Sequence, residues 1–211
     1  MNWLAHLRLS PPDPLVRLGN LAGDFVRGVD VARLHPGLQR GIALHRALDR
    51  FVDAHPIAVR ARQRLQPPFR RFGGVLVDVW FDHFLARDWE RFGGGASLPS
   101  FLAGVHGDLR AHHELLPPDL QRAAPRFTTA GWLEGYASVA GIDRVLALMA
   151  QRFARPSPLA RGGEPLRHHY DALASDFAAL WPELTACVAA AAAASASRAA
   201  PPAVPRTVRM D

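Results

Sequence analysis

The chain contains no lysine; all 25 of its basic residues are arginine. It has one cysteine, Cys187, which excludes an internal disulfide framework and any cysteine-based zinc site. A reducing compartment is the expectation. No apolar run approaches the length needed to span a bilayer; the longest stretch is Ala186 to Ala194. The opening segment "MNWLAHLRLSPPDP" lacks a basic region followed by an apolar core, so it does not read as a signal peptide. Alternating Val/Ile/Thr runs joined by Asn-Gly turns are missing, which argues against a sheet. No internal repeat is visible. These absences point to a soluble, cytoplasmic, mainly helical protein with no membrane partner. Asparagine is scarce too, occurring only at Asn2 and Asn20.

What is present fits one compact domain. The chain has 211 residues, 49% of them hydrophobic. Charged residues make up 21%, enough for a folded surface and too few for wholesale disorder. The formal net charge is +6. Arginine favours planar, bidentate contacts with carboxylates and phosphates. That suits an acidic or phosphorylated partner, although a GC-rich coding sequence also replaces lysine by arginine. The arginines form no tract with interleaved aromatics, so nucleic acid is not the expected partner.

Helical periods dominate. They predict helices over Asn2–Leu9, Pro14–Val26 (capped by Asp13), Gly37–Ala54, Ile57–Leu65 and Phe69–Phe92. Further helices are predicted over Leu98–Leu116, Pro118–Ala123, Thr129–Arg152 and Glu164–Ala193. The fold class is therefore all-α. One helical domain is expected over residues 1–187. Residues 188–211 are read as an Ala/Pro-rich, mobile tail with little to bury.

Polar residues inside these apolar helices carry the functional signal. In "LVRLGNLAGDFVRG", Asn20 and Asp24 stand one turn apart among leucines. In "GIALHRALDRFVDAHP", His45 and Asp49 share a face with Ile42, Leu48 and Val52. Asp53 lies at the edge of that stripe. In "RRFGGVLVDVWFDHFLARDWERF", Asp78 and Asp82 lie four apart in a helix that is apolar nearly all round. A lone buried carboxylate is costly unless it is paired, protonated or bound to a cation. Each Asp has an ordinary alternative as a cap or an Arg partner; Asp49 could pair with Arg46 or Arg50. His83 alone reads first as a satisfied core or surface histidine, and His6 equally as core or active site. His112-His113 and His168-His169 have no partner pattern. Taken together, the His/Asp set suits Mn²⁺, Fe²⁺ or Mg²⁺.

The segments "MNWLAHLRLS", "GNLAGDFVRG", "GIALHRALDRFVDAHP" and "VLVDVWFDHFLARDW", in this order and spacing, resemble the acyl carrier protein phosphodiesterase family. The resemblance is strong over Met1–Trp89 and continues more weakly to about Leu184. It implies an all-helical bundle distantly like the HD-type metal-dependent phosphohydrolases. It implies hydrolysis of the phosphodiester joining 4′-phosphopantetheine to a serine of holo-acyl carrier protein, with Mn²⁺ as the metal. Asp24, His45, Asp49, Asp78 and Asp82 become the expected ligands, with Asn20 and Asp53 in support. Here Asp82 precedes His83, the reverse of the HD dipeptide, which leaves the ligand set open. His6 or His83 is expected to move the proton and Arg27 to contact the phosphate; a helix-end role fits Arg27 equally. A basic rim including Arg60, Arg62, Arg64, Arg70 and Arg71 would face the acidic carrier protein. The alternatives are a phosphohydrolase acting on a nucleotide or other small phosphodiester, and a non-catalytic binder of an acidic partner. The oligomeric state is not legible.

Overall fold

The computed structural model describes residues 1–129 and 131–199, with side-chain surroundings described to residue 190. Among the described residues there are eleven α-helices and no strand. None of these helices is long and apolar enough to cross a membrane.

Helix α1 (Trp3–Arg8) is short and almost wholly buried. Helix α2 (Pro14–Ala22) begins where expected: Asp13 accepts from the Leu15 and Val16 amides, and Pro14 takes the first turn. Helices α3 (Pro36–Ala54) and α4 (Pro56–Gln63) also start on prolines, capped by the Nδ1 atoms of His35 and His55. The α2–α3 pair crosses at two glycines. A Cβ on Gly41 would stand 2.6 Å from the Asn20 nitrogen and 2.6 Å from Gly19 Cα. Only glycine lets the helices approach this closely, and the approach sets Asn20 of α2 against His45 of α3.

Helix α5 (Gly73–Arg87) is the central post. Leu76, Val77, Trp80, Phe81, Phe84 and Leu85 are all buried along it. The expected long helix to Phe92 breaks at Asp88, and α6 (Trp89–Phe92) follows. Helix α7 (Leu98–Ala111) ends before a 3-10 turn, and α8 (Pro118–Phe127) runs past its expected end at Ala123. The expected single helix over Thr129–Arg152 is instead a 3-10 turn at Glu134–Ala137 followed by α9 (Val139–Ala150). Two local features break it. Gly131 takes φ +82°, and Ser138 caps a fresh start through the Gly141 amide. The last expected helix divides at His169 into α10 (Gly163–His168) and α11 (Tyr170–Ala199). Of the tail expected from residue 188, residues 188–199 continue α11, as an alanine-rich run readily does. Residues 200–211 lie outside the described residues.

A buried carboxylate of the central helix ties the N-terminal helix to the core. Asp82 of α5 is fully buried and accepts from the amides of Leu4 (2.7 Å) and Ala5 (3.1 Å). Asn2, the N-cap of α1, makes no side-chain cap, so these bonds from Asp82 satisfy donors at the start of the helix.

Candidate active site

Asn20 is the hub of the site. It is fully buried, and its Nδ2 donates to the His6 carbonyl (2.8 Å) and to Ser10 Oγ (2.9 Å). That orientation leaves its Oδ1 to accept from His6 Nδ1–H (2.9 Å). Its backbone carbonyl accepts from His45 Nδ1–H (2.8 Å). Both imidazoles are thereby held as the tautomer whose Nε2 atom is the free ligand position. The two rings stack with centroids 4.0 Å apart.

The two Nε2 atoms meet carboxylates rather than donors. His6 Nε2 lies 3.2 Å from Asp49 Oδ1, and His45 Nε2 lies 3.0 Å from Asp49 Oδ2 and 3.5 Å from Asp24 Oδ1. Buried His6 Nε2 has no hydrogen-bond partner. Lone pairs on nitrogen and oxygen facing each other at these distances call for a positive charge between them. Burial disfavours a charged His45, but Asp24 and Asp49 outweigh it and push the imidazole up to about 9. Burial would raise Asp49, yet His45 and His6 hold it well below the usual carboxylate range. His6 is lowered, first by burial and then by the neighbouring charges of His45 and the chain terminus.

A cation fits this donor set. One atom from each of His6, His45 and Asp49 lies within 4.8 Å of the others, and the mixed nitrogen and oxygen ligands suit a first-row divalent ion. The orphaned His6 Nε2 is the observation that favours a metal over a simple ion-pair network.

The expected residues divide clearly. His45 and Asp49 come together, and His6, expected to transfer protons, joins them as the third donor. Asp24 stands beside them, but not one helical turn beyond Asn20 as its spacing suggested. Helix α2 stops at Ala22, and Gly23–Phe25 tighten into a 3-10 turn. A Cβ at Gly23 would fall 2.1 Å from the His45 ring, so glycine is required there. Asp24 Oδ2 accepts from Trp3 Nε1 (3.0 Å), a tether unread in the sequence. Asp24, Asp49, Asp53 and Asp78 line an open cleft of about 360 Å³, together with Arg152. Asp24, Asp49 and Asp78 are therefore cleft residues rather than the inward-pointing groups expected from periodicity, and Asp53 keeps the edge position expected of it. Asp78 Oδ1 accepts from the terminal ammonium at 2.9 Å. Asp53 is exposed and bonded to Arg62.

Three expectations do not match their positions. Asp82 spends both oxygens on the α1 amides, and its inward stripe faces a helix terminus rather than the donor cluster. His83 donates from Nδ1 to the Tyr136 carbonyl (2.7 Å) and accepts at Nε2 from Tyr170 (2.8 Å), so both its nitrogens are satisfied away from the cleft. Arg27 is exposed beyond the 3-10 turn and does not line the cleft. The basic rim is also largely committed elsewhere. Arg60 and Arg64 both bind buried Asp176, and Arg62 holds Asp53.

A family model described as acyl carrier protein phosphodiesterase matches residues 1–184. The chain belongs to the acyl carrier protein phosphodiesterase family. Curated relatives carry the same description. One from Serratia proteamaculans is 35% identical over 184 residues, covering 87% of this chain and 95% of the relative. Another, from Yersinia enterocolitica, is 34% identical with the same coverage. A third, from Photorhabdus laumondii, is 34% identical over 181 residues, covering 86% and 89%. No solved structure matches the chain at a significant level. The family match contains every element of the cluster and its cleft, from α1 through α9.

Proposed function

We propose that this chain is a metal-dependent phosphodiesterase that removes 4′-phosphopantetheine from holo-acyl carrier protein. The single observation that supports metal dependence is the convergence of His6, His45 and Asp49 around a buried His6 Nε2 that has no hydrogen-bond partner. Mn²⁺ is the proposed ion, with Mg²⁺ or Fe²⁺ as substitutes of the same charge. When bound, a divalent ion neutralises phosphodiester charge and lowers the pKa of water.

The chain's own residues do the rest. His6 Nε2, His45 Nε2 and Asp49 would hold the cation, and Asn20 fixes both rings through their Nδ1 atoms. Trp3 anchors one oxygen of Asp24 and leaves Oδ1 facing the cluster, where it accepts the proton of the attacking water. Arg152, on the cleft wall, offers a planar donor to the non-bridging oxygens. Water adds to phosphorus, the bond from phosphorus to the serine oxygen breaks, and that oxygen leaves with the proton that Asp24 took from the water. The products are apo-carrier protein and free 4′-phosphopantetheine.

The test is to incubate holo-carrier protein with the enzyme and Mn²⁺ and weigh the products. The carrier protein is expected to lose the mass of the prosthetic group and to regain its serine hydroxyl. An unchanged mass, alongside cleavage of a nucleotide phosphodiester, would favour the small-substrate alternative.

A further inference from the structure

Beside the catalytic cleft runs a second, larger cavity of about 480 Å³. The two are continuous in their walls: Trp3, Phe25, Met149 and Arg152 line both. The second cavity is mostly apolar. Trp3 packs edge-on to Phe127 at 4.9 Å, Phe25 does so at 6.0 Å, and Val145 and Leu148 of α9 also line the cavity. Its polar groups are few. Arg126, Thr129 and Gln151 line it without touching the cleft, and Trp132 brings a buried indole N–H that has no acceptor. An apolar groove of this size with a few polar groups on its wall, one of them the unspent indole N–H of Trp132, is the usual form of a small-molecule subsite. Trp3 links the two spaces physically, because the ring that walls the groove is bonded through Nε1 to Asp24 of the cleft.

We propose that this groove seats the pantetheine arm of the substrate. The inference rests on the phosphodiesterase reading and extends it to the part of the substrate that does not react. With the phosphate in the cleft, the atoms that follow it are a gem-dimethyl group, two amides and a thiol. The gem-dimethyl and methylene groups match the Trp3–Phe25–Phe127 wall, and the amide carbonyls match the unspent indole N–H of Trp132. Arg152 stands at the junction, beside both phosphate and arm.

The test uses Leu148→Trp, which fills the groove from a position 44% exposed and lies outside the catalytic cluster. With holo-carrier protein and Mn²⁺, KM is expected to rise about tenfold while kcat changes less than about twofold. Pantetheine, which lacks the phosphate, is expected to inhibit the wild-type enzyme competitively and the variant about tenfold more weakly. The far-UV spectrum and melting curve establish that the variant is folded. Should Leu148→Trp fail to fold, Gln151→Trp on the same wall carries the same expectation. Equal KM values with no inhibition by pantetheine would overturn the groove assignment and leave the phosphodiesterase reading standing. Loss of self-association in the variant at unchanged KM would show that a second copy, not the arm, fills the groove. Absence of turnover in the wild-type enzyme would overturn both readings.

Discussion

Asp49→Asn is expected to lower kcat/KM for holo-carrier protein by about 10²–10³-fold while leaving the fold intact. Asp49 is the one side chain that faces both imidazoles, with Oδ1 toward His6 and Oδ2 toward His45. An amide in its place keeps one oxygen but turns an NH₂ donor toward one Nε2. That donor occupies the lone pair that the proposed cation would need, and the negative charge is lost as well. The carboxylate is 38% exposed at the cleft, so the core does not depend on it. Two measurements together decide the point. Steady-state turnover should collapse, and added Mn²⁺ should raise the melting temperature of the wild-type protein but not of the variant. Full activity in a folded Asp49→Asn protein would remove Asp49 from the site.

Asp82→Ala is expected to fail differently, by destabilising the protein. The substitution strips the acceptor from two buried amides, those of Leu4 and Ala5, at about 1–3 kcal/mol each. Helix α1, which carries His6, then loses its hydrogen bonds to α5. Activity should fall in proportion to the unfolded fraction, and chemical denaturation should show the loss directly. An Asp82→Ala protein with wild-type stability and no turnover would point instead to a ligand role for this carboxylate. The pH dependence gives a second handle. Burial dominates at Asp82 and, against the opposing α1 amides, pushes its carboxyl up to about 7. The folded state therefore holds this proton more tightly than the unfolded chain does. The resulting stabilisation is complete below the ordinary carboxyl range and is lost as pH rises through about 7. Between pH 4 and pH 7 the wild-type melting temperature should fall relative to that of Asp82→Asn, which has no such proton to lose.

Much of the fold was legible because its signals are local. Asp13-Pro14 announces a helix start, and the apolar run over Val75–Leu85 announces the buried post. His45 and Asp49 could be paired because a helix of regular pitch joins them. Asp24 was misplaced because the pitch changes at Gly23, and the reason, the His45 ring, lies on another helix. The partners of Asp82 and His83 were hidden for a related cause. Periodicity shows that a side chain points inward, but not what stands opposite it. The amides of α1 are 77 and 78 residues away in sequence from Asp82, and Tyr136 and Tyr170 are 53 and 87 residues from His83. Asn20 drew notice as a rare amide among leucines, yet its service to two imidazoles at once emerges only from the α2–α3 crossing.

The most direct measurement is the paramagnetic resonance of Mn²⁺ added to the purified protein, with pulsed detection of coupled nitrogen. The wild-type protein should bind the ion and show imidazole nitrogen coupling, and His6→Gln combined with His45→Gln should lose both the coupling and the affinity. Mn²⁺ that stays free in solution, or that binds the double variant as tightly as the wild type, would contradict a cation held by His6, His45 and Asp49.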